Sequence, residues 1–140
     1  MCRIANIIFA LLLLAENSTA QKAPVPIGQW REHLNYQTTF QVVKGDKIYA
    51  ATEAALFAVD TDSEITRYNK INQLNDIGVQ QIGWDPTHQQ LIVAYKNSNL
   101  DFLKNDLTKN LGDIEKSSIA GDKRINAIYC SDGNAFLSTG

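Results

Sequence analysis

Beyond its first twenty residues the chain holds a single cysteine, Cys130. One thiol makes no internal disulfide, so the fold must be held by its core. Helical periodicity is missing after Ala20. No charge of one sign dominates: 13 Lys and Arg stand against 15 Asp and Glu, net -2, and the two signs are interspersed. That excludes a basic stripe for nucleic acid and a basic amphipathic helix for a membrane surface. Gly-rich phosphate loops and the G-x-S-x-G elbow are absent. The only long apolar run lies at the N-terminus and has roughly half the ~20 residues of a spanning helix. What remains is a hydrophobic fraction of 44%, that of a globular chain.

The apolar run has its own logic. Arg3 gives a short positive start, Ile7 to Ala15 the apolar centre, and Glu16 to Ala20 a polar end with small residues at Ser18 and Ala20. This is the pattern of a secretion signal, with cleavage expected after Ala20. A membrane anchor would need a longer run. No cysteine follows at a lipoprotein position, and Cys2 leaves with the signal. The mature chain is therefore expected to be exported and to carry no membrane-spanning segment.

From Thr38 onward, short β-rich runs alternate with turn residues. A first set comprises Thr38–Val43, Lys47–Ala51, Ala55–Asp60 and Ile65–Asn69. A second comprises Val79–Trp84, Leu91–Tyr95, Leu100–Leu103 and Leu107–Leu111. A third begins with Ile125–Cys130 and Ala135–Ser138. The breaks are short enough for hairpins, which makes each set an antiparallel meander. Ile48, Leu91 and Ala135 open the second strand of each set, at offsets of 43 and 44 residues. Four strands per forty-odd residues is the period of a β-propeller blade. A β-sandwich also strings short strands together but lacks such a fixed period. The expected fold is all-β: an incomplete propeller of four-stranded antiparallel blades, about two and a half in number. The expected organisation is a signal peptide at 1–20, a lead-in at 21–37 and the partial propeller at 38–140. Its blades fall at about 38–70 and 78–113, with a half blade at 125–140. Stacking hides the apolar face of each sheet, so the last blade is expected to show an open face and an unpaired edge strand.

Little here points to catalysis. His33 and His88 sit in unrelated contexts without a Cys at metal-ligand spacing. Asp60, Asp62, Asp85 and Asp132 fall at strand ends and turns, where Asp caps backbone, and none are spaced as a calcium loop. Cys130 reads as a small buried hydrophobe, Trp84 as packing between blades, and Trp30 as packing or ligand stacking. No cofactor or metal is expected. In a propeller the links after second strands and the links between blades share one rim. That rim gathers Asn72, Asn75, Asp76, Asn97, Asn99 and Asp122, the candidates for a ligand or partner surface. Amides there suit polar ligands such as sugars, and Asn also simply makes turns.

Gly28-Gln29-Trp30-Arg31-Glu32-His33-Leu34, Lys47-Ile48-Tyr49-Ala50-Ala51-Thr52, Asn72-Gln73-Leu74-Asn75-Asp76-Ile77-Gly78, Tyr95-Lys96-Asn97-Ser98-Asn99-Leu100-Asp101 and Gly121-Asp122-Lys123 resemble, in this order, the PorZ-type β-propeller proteins of the type IX secretion system. The repeat style is similar to the periplasmic propellers of hybrid two-component regulators. The first resemblance implies a non-catalytic component of a bacterial protein-export and surface-attachment machine. It implies a place in the periplasm or on the outer-membrane surface of a Gram-negative bacterium. Other secretion-system proteins, or lipopolysaccharide and oligosaccharide, are the partners it implies. That family carries two propellers and a small C-terminal domain, so this chain would be its N-terminal portion. The rival readings are a sensory or carbohydrate-binding propeller module and a propeller enzyme whose acids lie elsewhere.

Overall fold

The computed structural model describes residues 34–140; the segment expected to be a secretion signal, Trp30 and His33 lie outside them. Three antiparallel sheets follow one another along the chain. The first has the order β1 (Gln41–Lys44), β2 (Ile48–Ala51), β3 (Leu56–Val59), β4 (Ile65–Tyr68). The second has β5 (Val79–Asp85), β6 (Gln90–Tyr95), β7 (Leu100–Lys104), β8 (Leu107–Leu111). The third pairs β9 (Ile125–Ser131) with β10 (Asn134–Thr139). Each sheet is a meander, and its first strand lies beside the first strand of the next sheet, β1 by β5 and β5 by β9. That places the first strands innermost and the later ones outward, the radial plan of a propeller.

The turns follow their residues. Asp60 accepts the N–H groups of Asp62 and Glu64, and Ser63 takes φ 63° to close that turn. The buried Asp85 accepts the N–H groups of Thr87 and His88 and bonds the exposed His88 ring at Nδ1 (2.6 Å). Burial raises the Asp85 carboxyl, but these bonds and that of Gln90 outweigh it and hold it below the usual range. The one helix among the described residues, α1 (Asp113–Lys116), is a departure from the all-strand expectation. It is a single turn without a side-chain cap, too short to show a 3.6-residue period.

The core lies between sheets. Tyr49, Ala51, Leu56, Ala58 and Tyr68 of the first sheet bury against Leu91, Val93, Tyr95 and Leu103 of the second. Trp84 stacks on Tyr49 with ring centroids 6.0 Å apart, between blades as expected. Gly45 makes room for it, since a Cβ there would lie 2.4 Å from the indole. Ile92, Ala94 and Leu100 form a second core with Ile125, and Phe102, Leu111, Ile128, Cys130 and Leu137 pack against it. Gly83 lets β9 approach β5: a Cβ there would lie 2.5 Å from Ile128 Cγ2. Tyr36 of the lead-in meets Phe57 edge-on, with the Arg67 guanidinium over its ring. On the far side of the third sheet Tyr129 and Phe136 stand 67% and 58% exposed, the open face expected of it.

Candidate functional site

The rim predicted from strand order is built from four links: residues 52–55, 69–78, 96–99 and 112–124. They bind one another. Val79 N–H donates to Glu53 C=O (2.9 Å) and Lys96 N–H to Gly78 C=O (2.9 Å). The Lys96 ammonium pairs with the Glu53 carboxylate across the two blades. Lys123 Nζ donates to the carbonyls of Glu115 and Ser117, tying the last link to α1.

The six candidates divide by what their side chains do. Asn72 folds back on its own turn, its Oδ1 accepting from Asn69 N–H (2.8 Å) and its Nδ2 donating to Arg67 C=O (2.9 Å). Asp122 accepts from Arg124 N–H. Asn99 is buried, and its Oδ1 accepts from Leu100 N–H and Asn110 Nδ2. Asn75 is drawn onto Asp101, donating through its backbone N–H (2.8 Å) and its Nδ2 (3.0 Å). Asp76 and Asn97 are brought together at 2.6 Å, and Asn97 Nδ2 also reaches Glu115 Oε1. Burial raises the Asp76 carboxyl, but bonds from Ile77 N–H and Asn97, with the Lys70 charge, hold it below the usual range. Asn72 and Asp122 thus serve their own turns, Asn99 ties its link to β8, and Asp76 and Asn97 meet at the surface.

Sequence reasoning missed the residue under this rim. Asp101 is fully buried and accepts Tyr95 Oη–H (2.5 Å), both Asn75 donors and Asn110 Nδ2 (2.8 Å). Burial, then the Asp101 hydrogen bond and charge, push the Tyr95 phenol well above its ordinary value. The signal was there: an acid inside Leu100-Asp101-Phe102, where the strand pattern calls for an apolar or exposed residue.

Beside the first rim links, at the inner strands, lies a shallow hollow of about 300 Å³. Phe40, Gln80, Gln81 and the Glu53–Lys96 pair line it. Gln80 sits at the bulge where the β5–β6 register shifts between Val79 and Gln81, and a bulge re-aims a side chain. Gln41 clamps the neighbouring backbone by both amide atoms, to Ile82 N–H (2.8 Å) and Ile82 C=O (2.9 Å). Amides, one ion pair and one half-exposed aromatic ring make a surface for polar contact. Among the described residues no group of three or more His, Cys, Asp or Glu is placed to hold a metal ion. Among the same residues no helix is long and apolar enough to cross a membrane.

Comparison with known proteins agrees with this architecture. No curated protein matches the sequence. A solved structure of PorZ, described as an essential bacterial surface component of the type IX secretion system of Porphyromonas gingivalis, superposes with a TM-score of 0.65 at 22% identity. The match covers 71% of this chain and 14% of that one, and at this identity it establishes the fold alone. Residues 48–140 match the family model of the PorZ N-terminal β-propeller domain of the type IX secretion system. Since that span takes in both complete sheets from β2 onward and the β9–β10 pair, the chain belongs to the PorZ N-terminal β-propeller family.

Proposed function

We propose that this chain is the N-terminal portion of a non-catalytic component of a type IX secretion machine, exported to the periplasm or the outer surface of the outer membrane. The family match over residues 48–140 carries the reading. The rim supports it, because its polar side chains join the links of one blade to those of the next and present one polar surface. The partners fitting this reading are other secretion-system proteins. Deleting the gene in its host and following cargo tests it: cargo should be retained in the periplasm, and unchanged surface display of cargo would refute it.

The hollow of Phe40, Gln80 and Gln81 favours a second reading within the same machine, contact with lipopolysaccharide or a related oligosaccharide. Amides with a flanking ring suit hydroxyl-rich ligands. Gln80→Ala with Gln81→Ala should abolish binding of the host's purified O-polysaccharide; retained binding would move the site elsewhere.

A further inference from the structure

Gln41 and Gln81 hold the same place in the first two sheets. They pair with Ala51 and Ala94, each two residues beyond the equivalent Tyr49 and Ile92. Both stand on the innermost strand of their sheet, on the face turned to the next one. Gln41 reaches Ile82 of β5, and Gly83, two residues from Gln81, faces Ile128 of β9. β1, β5 and β9 are each paired on one side only, so their inner edges are open. Gln41 closes part of the β5 edge. Its Oε1 accepts from Ile82 N–H and its Nε2 donates to Ile82 C=O, so one carboxamide holds both main-chain groups of one extended residue. Ile128 holds the place of Ile82, opposite Leu137 as Ile82 is opposite Val93. Its N–H and C=O therefore point to the inner edge of β9. Gln81 does not close that edge: among the described residues its carboxamide makes no hydrogen bond.

We infer that Gln81 and the open β9 edge beside it form a binding site for an extended peptide, read through its main chain. An extended residue presents its N–H and C=O on one side of the strand, which is the pair that Gln41 already holds. Gln81 offers the same two contacts to a ligand, and Ile128 offers a strand edge. Gln81 also lines the hollow of about 300 Å³ with Phe40 and Gln80, so the peptide has room to run on toward the rim. There it meets the Glu53–Lys96 pair, whose side chains are 71% and 52% exposed and suit a residue of either charge. A polysaccharide fits the clamp less closely, because each hydroxyl is both donor and acceptor and calls for no matched pair. Ala127 holds the equivalent place in the third sheet, which leaves Gln81 as the one spare amide of the series among the described residues. That the peptide belongs to a protein of the export machine rests on the reading proposed above; its main-chain chemistry does not.

The probe is an acetylated and amidated hexapeptide of alternating threonine and valine, titrated into the purified protein and followed by amide NMR shifts. The Gln81 side-chain amide and the Ile128 N–H should shift together. Gln81→Ala should weaken binding roughly fivefold or more, and so should esters in place of the peptide's internal amides. Asn72→Ala, on the rim but bonded within its own turn, should leave binding unchanged. No shift at millimolar peptide, or equal affinity for the amide and ester forms, overturns the inference. A slowly exchanging Ile128 amide in the free protein that Gln81→Ala releases also overturns it, since Gln81 would then be spent on β9. So does binding of the host's purified O-polysaccharide that depends on Gln81, with none of the peptide. The cargo experiment reads the export role by itself, so a failure of peptide binding leaves that role standing, and the reverse holds too.

Discussion

The contact between the first two blades and the contact between the second and third use the same positions with different chemistry. Where the first has Tyr49, Tyr68 and Trp84, the second has Ile92, Leu111 and Cys130. The first is aromatic and ends in polar groups: Tyr68 Oη–H donates to Asp106 Oδ1 (2.6 Å) and Tyr49 Oη–H to Asp46 Oδ1 (2.9 Å). The second has no aromatic ring at those three positions and no such ties there, and relies on close backbone approach at Gly83. The repeat thus preserves register and face and leaves the side chains free to vary, which is what a stack of sheets requires. Whether a side chain is buried depends on what the next sheet brings over it: Tyr68 is fully buried and its counterpart Leu111 is not.

Breaking the first contact from beneath should have the largest effect. Asp101→Ala leaves Tyr95 Oη, the two Asn75 donors and Asn110 Nδ2 without their acceptor. Buried donors left unpaired cost about 1–3 kcal/mol each when water cannot reach them. With Tyr95 buried and Asn75 exposed, we expect a loss of about 4 kcal/mol. Urea unfolding measures it, and a loss under about 1 kcal/mol would show that water reaches the site freely. Next comes a matched pair. Trp84→Ala removes the ring stacked on Tyr49 and should cost about 3 kcal/mol, the low end for a partly buried Trp. Cys130→Ala, at the equivalent place in the second contact, should cost about 1 kcal/mol or less. Equal losses would mean that the two contacts are energetically alike despite their composition.

Much of this was legible in the sequence, for a physical reason. Strand alternation and turn residues are local, so Leu91–Tyr95 and Asp85-Pro86-Thr87-His88 announce themselves without tertiary help, and the 43- and 44-residue offsets follow from them. Trp84 between blades was legible because it sits in an alternating strand. The rim was legible as a set of links, since strand order sorts links by end. Its chemistry was not. Whether Asn72 serves its own turn while Asn75 reaches 26 residues onward to Asp101 depends on which link lies over which. The buried carboxyl at Asp101 depends on donors arriving from Asn75, Tyr95 and Asn110 at once, and no single segment shows that. α1 was invisible because four residues carry no period.

A smaller effect belongs to the second contact. Gly83→Ala would set a methyl 2.5 Å from Ile128 Cγ2, closer than packed carbons allow. A new rotamer would move Ile128 Cγ2 but not its Cβ at 2.9 Å, so strand β9 must shift, at a cost of about 2 kcal/mol. Gly83→Ala with Ile128→Ala should recover only part of the loss from Gly83→Ala, because it removes the Cγ2 contact at 2.5 Å and leaves the Cβ contact at 2.9 Å. Losses that simply add would place the strain in the backbone.

The finest distinction between the contacts is their response to pH. The Tyr68 hydrogen bond holds Asp106 below its ordinary value of 3.8, with burial opposing and Lys47 assisting. A carboxyl depressed on folding adds stability above its unfolded value and loses it as pH falls through the folded one. Tyr68 and Tyr49 are pushed well above 10.0, first by burial and then by Asp106 and Asp46 respectively. Phenols raised on folding add stability up to about pH 10 and lose it as pH climbs further. The Asp106 limb and these phenols belong to the first contact; Ile92 and Leu111 cannot titrate, and the second contact adds only the Cys130 thiol, pushed up by burial and then by the Asp85 charge. Asp106→Asn should therefore be less stable than the parent at pH 7, with the gap closing below pH 3.8. Tyr68→Phe should reduce the alkaline limb, to which Tyr49 and Tyr95 also contribute. Asp76 and Asp85 are also depressed, so the chain as a whole still weakens in acid; the parent-to-variant difference isolates Asp106. A gap that stays constant from pH 7 to pH 3 would mean that Asp106 acts by packing rather than by charge.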